Sequence, residues 1–370
     1  MNPPDPLQPH TPAALGYRLP AEWEPHAAAW LAWPHHRDDW PGRFGPIPWV
    51  YVDFVRQLSR YEPVSILMHS PKVEQRARDR LDRAGVNLGR VEFVPARTDR
   101  SWTRDTLPTF VVLDRAPTAV DRVAAVAWTF NAWAKYDNFE DDANLPRDLA
   151  LRLGLRRFVP RTLGADGQWR PIVLEGGAID GNGRGTLLTT EECLLGEVQV
   201  RNPGLGRADM ERVLCDFLGL RQVIWLGRGI VGDDTHGHVD DLARFVNPRT
   251  VVTVVERDAS DPNFEPLRDN VERLRSARDQ DGRLLDVVTL PMPRPVVFEG
   301  QRLPASYANF YIANGAVFVP TFNDPADRVA LDTLAGLFPD RDVIGIHALD
   351  LAWGFGTLHC MTHEQPAPPV

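Results

Sequence analysis

Residues 238–256 read "HVDDLARFVNPRTVVTVVE". A polar start gives way to the apolar "LARFV", then to "NPRT", then to the β-branched run "VVTVV". Val and Thr suit a pleated, half-buried surface, whereas Asn and Pro suit a turn. The stretch therefore predicts two short strands joined by a tight connection. Working outward, the same pattern recurs in "WTRDTLPTFVVL" (102–113), "VLEGGAIDGNGRGTLLTTEE" (173–192) and "ASYANFYIANGAVFVPTF" (305–322). There "NGRG" and "ANG" are hairpin signals. Each copy starts with a strand carrying unusual polar residues, turns, and runs into a second strand. A helix and a further strand usually follow. The helical periods fall at 207–218, 263–278 and 325–336. Asp105, Glu175, His238 and Asn309 mark the units, separated by 70, 63 and 71 residues.

The last unit starts near Leu358 and ends almost at once. Strands from the N-terminal stretch "AAAWLAWP" (27–34) can complete it, which closes a ring without exposed sheet edges. The expected fold is thus α/β, a propeller-like ring of about five units in one domain. In such a ring the first strand of every unit ends at the axis. Asp105, Glu175, His238, Asp240 and Cys360 would then converge although they lie far apart in the chain. The expected boundaries are a flexible Pro-rich segment over 1–20, a single domain over 21–366 and a tail over 367–370.

The acidic balance, −9 with a pI near 5.6, argues against a nucleic-acid backbone as partner and is compatible with a cationic ligand. No stretch approaches 18 consecutive apolar residues, so no membrane span is expected. The start of the chain lacks the basic and apolar regions of a signal peptide. Three cysteines cannot all pair, which suits a reducing, cytoplasmic setting. Cys215 lies on the amphipathic helix with Met210, Val213, Leu214 and Phe217 and reads as packing. Cys193, in "LLTTEECLL", reads as structural. Cys360 differs, because Thr357, His359, Thr362 and His363 surround it.

Carboxylates, an imidazole and a thiol are an odd set to bury together. Unpaired buried carboxylates are costly unless a cation meets them. A guanidinium suits them well, because its planar N–H fork takes bidentate bonds. A thiolate is the strong nucleophile of the set, and carboxylates holding the guanidinium nitrogens would present the central carbon to the sulfur. A second chemistry is also open. "THGHVDD" places His236, His238, Asp240 and Asp241 within a short run that is similar to a zinc-hydrolase signature. A binding scaffold without chemistry is a third reading. Arg104 could serve simply to salt-bridge Asp105, and Trp102 could be core.

Six ordered blocks carry a resemblance over nearly the whole chain. They are "AEWEPHAAAWLAWPHHRDDWPG", "WTRDTLPTFVV", "EGGAIDGNGRGTLLTTEECLL" with "RNP" after it, "GDDTHGHVDDLARFV", "RLPASYANFYIANGAVFVPTF" and "LHCMTHEQP". The chain resembles the agmatine deiminase and bacterial peptidylarginine deiminase family of guanidino-modifying enzymes. The resemblance implies a five-bladed α/β propeller (pentein) and no cofactor or metal. It implies Cys360 as nucleophile, His238 as general acid/base and Asp105 and Asp240 as guanidinium carboxylates. Glu175 would lie near His238, Trp102 beside the guanidinium, and Asp234 towards the far amine of agmatine. The implied reaction is agmatine plus water to N-carbamoylputrescine plus ammonia, a step in making putrescine. Free arginine or peptidylarginine is the alternative substrate. The implied partner is a small cationic guanidino compound, with a homo-oligomer left open. Two departures stand out. "WGFGTLHC" replaces the usual glycine run and Asn, and His236 and Asp241 replace the usual Asn residues.

Overall fold

The computed structural model describes residues 10–118, 120–164 and 167–369. Five sheets share one order. In each, a first strand pairs antiparallel with a second, and the second pairs parallel with a third across a helical connection. The stretch at 238–256 supplies strands Ala243–Phe245 and Thr250–Val255, and the helix Phe264–Ser276 leads to Asp286–Pro291. The same order runs through Thr109–Val112, Val123–Val126 and Arg156–Phe158. It recurs in Asp180–Gly181, Thr186–Thr190 and Gln222–Leu226, and in Tyr311–Ala313, Ala316–Thr321 and Asp342–His347.

The fifth sheet joins the two ends of the chain. His363–Pro366 pairs antiparallel with His26–Ala32, which pairs parallel with Val64–Met68, and Val91–Pro95 follows as an additional strand. The cut-short last unit is therefore completed by N-terminal strands, as the sequence requires. The middle strand of each sheet is largely buried (Val251, Val252 and Val254 are fully so), which explains the β-branched runs that hold no polar alternation.

The helices also follow the apolar spacing. In Arg207–Leu218 the residues Met210, Val213, Leu214 and Phe217 are buried, while Cys215 is only partly so. Gly219 ends that helix at φ 66°, and a Cβ there would lie 2.3 Å from the Tyr17 carbonyl oxygen. This close approach fixes the segment before the first sheet. Tyr17 is buried, Arg18 bridges to Val112, and the Arg18 guanidinium reaches Glu24 and Asp114. The segment expected to be flexible over 1–20 is therefore packed from residue 11 on; residues 1–9 lie outside the described residues. At the other end the Ala367 N–H donates to Pro25 O (2.7 Å).

One difference from the expectation matters for the site. Asp105, Glu175, His238, Asn309 and Cys360 do not sit on the first strands but on turns two to five residues before them. Asp105 is in the helical turn Thr103–Thr106, Glu175 precedes the turn Gly176–Ala178, and His238 precedes Val239–Asp241. A turn can aim a short side chain along the strand direction, whereas a strand residue must point across it.

Candidate active site

A cavity of about 340 Å³ opens at the surface and is lined by Trp102, Asp105, Trp133, Asp234, Phe355 and Cys360 among others. Glu175, His238 and Asp240 are 0–1% exposed and stand behind that wall. Cys360, itself 6% exposed, is seated by Asn309. The Asn309 amide nitrogen lies 3.1 Å from Sγ, and its Oδ1 accepts from Thr357 Oγ1 (2.7 Å) and the His359 N–H (3.1 Å). Asn309 marks a unit in the sequence, but its role in holding the thiol loop has no sequence signal beyond that position. Thr357, a departure from the usual pattern, is one of its partners. Phe355, the other, takes a left-handed backbone (φ 65°) that is ordinary for glycine and strained for Phe.

His238 sits between two carboxylates. Its Nδ1 is 3.9 Å from Asp105 Oδ1 and its Nε2 is 3.7 Å from Glu175 Oε2. Neither ring nitrogen has a partner at hydrogen-bond distance among the described residues. Burial disfavours the imidazolium, yet Asp105, then Cys193 and Glu175, outweigh it and push the ring well above its usual pKa. Its loop is fixed by Asp233, whose carboxylate accepts from the N–H groups of Thr235 (2.8 Å), Gly237 (2.7 Å) and His238 (3.1 Å). Gly177 makes the approach of these groups feasible. A Cβ there would lie 2.5 Å from His238 Nδ1 and 3.0 Å from Asp105 Oδ1.

The carboxylates are held differently. Asp105 accepts from the Gly177 N–H and from Trp133 Nε1, both at 2.9 Å. Burial, with Glu175 nearby, pushes it up against these donors and His238. Burial also acts to raise Glu175, but Arg201 (Nε to Oε1, 3.1 Å) and His238 hold it at about 2. Asp240 Oδ2 receives His359 Nδ1 at 2.7 Å and lies 3.8 Å from Cys360 Sγ, while its buried Oδ1 has no partner. Burial, Asp240, Asp241 and Asp105 together push the Cys360 thiol well up. A cation beside these carboxylates would offset their effect on the thiol.

Several sequence expectations shift. Arg104 turns away from Asp105 to Glu364 (2.8 Å) and Glu22 (3.7 Å). Trp102 does line the cavity and packs on Trp40, with ring centroids 5.5 Å apart. Asp234 lines it as well, but its oxygens already receive Lys135 and Tyr136 (2.6 Å to the phenol). Asp233, next to Asp234 in the chain, is turned into the His238 loop. Arg37 lines a different hollow. Arg100 takes the place on the cavity wall, bound to Asp39 and to Asn138 (2.9 Å). The "THGHVDD" run does not form one ligand sphere. Among the described residues, the group with metal-like spacing is Glu175, Cys193 and His238, with ligand atoms within 4.8 Å. Cys193 packs in a buried apolar cluster, as the sequence suggests, and is also a neighbour of His238.

The Porphyromonas-type peptidyl-arginine deiminase family matches residues 18–366. An agmatine deiminase of Ectopseudomonas mendocina is 36% identical, over 97% of this chain and 98% of its own length. An agmatine deiminase of Enterococcus faecalis superposes with a TM-score of 0.87 at 30% identity, covering 98% of each chain. A Cys-to-Ser variant of a C. jejuni agmatine deiminase, solved with its substrate bound, gives 0.82 at 28% identity, over 95% of this chain and 97% of that one.

Proposed function

The chain belongs to the Porphyromonas-type peptidyl-arginine deiminase family, and from that premise we propose that it hydrolyses the guanidino group of agmatine to N-carbamoylputrescine and ammonia. The observation that carries the reading is the buried thiol beside Asp105 and Asp240, two carboxylates without a Lys or Arg ion pair among the described residues. A guanidinium supplies the missing charge. It also lowers the thiol's pKa by offsetting the carboxylates that raise it.

In the first half-reaction the Cys360 thiolate attacks the guanidinium carbon. The tetrahedral adduct collapses as His238 gives a proton to the departing ammonia, which leaves a positively charged S-alkylthiouronium on Cys360. Asp105 and Asp240 stabilise that charge. In the second half His238 takes a proton from water, which adds to the same carbon. The carbon–sulfur bond then breaks and the ureido product leaves. Trp102 forms a wall of the slot, where a cation–π contact is available.

The far end of the cavity supports agmatine over arginine. Asp38, Asp39 and Asp234 line it against Arg100, and Lys135 is tied to Asp234. The balance is acidic, which suits an ammonium better than an α-carboxylate. The catalytic unit is a single domain over 21–366. Its three cysteines are free, which fits a reducing cytoplasm, and no helix among the described residues is long and apolar enough to cross a membrane. Relative kcat/KM for agmatine, arginine and an arginine-containing peptide tests the reading. Agmatine should lead by at least about tenfold, and equal or better use of either other substrate overturns it.

A further inference from the structure

His359 is fully enclosed, and both of its ring nitrogens face carboxylate oxygens. Nδ1 is 2.7 Å from Asp240 Oδ2 and Nε2 is 2.8 Å from Glu22 Oε2. Glu22 is itself anchored. The Arg244 guanidinium reaches the same Oε2 at 2.5 Å, and the Ile312 N–H donates to Oε1 at 2.6 Å. On the other side, Asp240 Oδ2 lies 3.8 Å from Cys360 Sγ.

Two hydrogen bonds from one ring to two carboxylates need two protons, and a neutral imidazole carries one. The Glu22–His359–Asp240 unit therefore holds one proton more than a neutral ring between two ionised acids. Burial, with Arg104 and Arg244, disfavours a full imidazolium, so the ring does not hold that proton alone. Whichever atom holds it, the oxygen of Asp240 that receives it is Oδ2. The negative charge is left on Oδ1, the buried oxygen without a partner.

We propose that His359 is a positioning residue that acts through Asp240. It locks the carboxylate so that Oδ1 is presented to the guanidinium, and it tempers the charge on the oxygen next to the thiol. This rests on the reading of Cys360 and Asp240 given above. The charged and titratable groups facing the ring are Glu22, Asp240, Arg104 and Arg244, with Cys360 next along the chain. The imidazole gains nothing directly from the substrate; its effect passes through one hydrogen bond.

Two substitutions separate the two contacts. In His359→Asn the amide lies near the place of Nδ1 and can still donate to Asp240. In His359→Gln it reaches the place of Nε2 and donates to Glu22 instead, which leaves Asp240 Oδ2 unpaired. Three readouts are taken: thermal unfolding, steady-state kinetics with agmatine, and the pH dependence of Cys360 alkylation by iodoacetamide in free enzyme. The two variants should lose similar stability. Only His359→Gln should raise KM, by about tenfold for a lost charge-assisted bond. Only His359→Gln should move the alkylation midpoint up, by about one pH unit, as Asp240 regains charge beside the sulfur. Combined with Asp240→Asn, it should add nothing further. Equal behaviour of Asn and Gln, or additive losses in the double variant, overturns the proposal. If a variant does not fold, nitrogen-15 NMR of the wild-type ring decides. A ring titrating near the free-imidazole value of about 6.5 overturns the proposal, and one that stays fixed from pH 5 to 8 supports it. Alkylation needs no turnover, so failure here is distinct from an active Cys360→Ala enzyme, which would sink the covalent reading itself.

Discussion

At the outer wall of the cavity Asp39 meets Arg100 and Asp234 meets Lys135; at its floor the ion-pair partners of Asp105 and Asp240 among the described residues are histidines, with no Lys or Arg. Both regions are rich in carboxylates. Each outer acid has a cationic partner before any ligand arrives, although Asp39 Oδ2 and Arg100 Nε remain unpaired among the described residues, so the wall contributes shape and a modest residual field. The floor keeps two buried acids with donors for only part of their lone pairs, and among the described residues Asp240 Oδ1 and both His238 nitrogens have none. Buried polar groups without partners are costly. They persist where a ligand completes them. Substitutions at the floor should therefore act on chemistry and binding strongly, and those at the wall weakly.

Cys360→Ala should remove turnover altogether. Losses on the order of 10⁶ follow when a nucleophile that works as a unit with its acid–base partner is deleted. The fold should survive, since the residue contributes one small buried side chain. Appreciable steady-state activity in this variant would break the contrast at its strongest point. His238→Asn comes next, with a loss of about 10²–10⁴ in kcat. Acid quench during turnover should trap an adduct on Cys360 if attack by water slows more than attack by the thiol.

Glu175 tests the one floor carboxylate that does have an Arg. Its folded pKa of about 2 lies below the unfolded value of about 4.3. A depressed acid contributes stability that is fully present above the unfolded pKa and is lost as pH falls through the folded one. Linkage gives about 3 kcal/mol, lost between about pH 4 and pH 2. Urea unfolding of wild type and Arg201→Met across this range checks it. The variant should be less stable at pH 6 and should lose this step of the acid limb; an unchanged acid limb would show that Arg201 does not hold the carboxylate.

Asp240→Asn should weaken guanidinium binding by about 1.5–3 kcal/mol, the worth of a charge-assisted hydrogen bond. Binding of agmatine to the Cys360→Ala protein, measured by calorimetry, isolates this from chemistry. An unchanged affinity would mean that Oδ1 does not face the substrate.

The repeat and the floor were largely legible in the sequence because both rest on local signals. Hairpin turns at 182–185 and 313–315 and the β-branched runs define the sheets, and a marked polar residue lies close before each first strand, though two to five residues ahead of it rather than on it. The outer wall was not legible. Lys135 and Tyr136, and Trp133 on Asp105, come from "NAWAKYDN" (131–138). There Ala132, Trp133 and Ala134 take left-handed backbones (φ 51°, 58° and 53°) without a glycine. Local propensity gives no sign of such a run, which tertiary packing of the buried Trp133 against Phe130 stabilises. Arg100 and Asp39 meet across 61 residues, and no motif links them. Cys193 packs in the core as its surroundings in the sequence suggest, but its nearness to His238 was not legible. It follows the Thr190 cap of the short helix Glu191–Leu195, where an apolar neighbourhood reads as core, and its approach to His238 exists only in three dimensions.

Asp234→Asn should have the smallest effect, and it sharpens the contrast most. From sequence alone Asp234 would face the far ammonium with its full charge. In the structure Lys135 and the Tyr136 hydroxyl occupy both of its oxygens. An asparagine keeps a carbonyl for one of these donors and removes a charge that Lys135 already offsets. Lys135 is also partly exposed, and partly exposed pairs are worth about 1 kcal/mol or less. The loss in kcat/KM for agmatine should therefore stay below about tenfold. Lys135→Met acts in the opposite sense. It frees one Asp234 oxygen and leaves the phenol on the other, so the wall becomes more acidic. Discrimination of agmatine against arginine should widen by a few-fold in Lys135→Met and narrow in Asp234→Asn. A hundredfold loss in Asp234→Asn would place the substrate ammonium directly on this carboxylate and would make the wall as demanding as the floor. Opposite shifts of modest size would mean that selectivity arises from the net field of the wall, with Lys135 setting its strength.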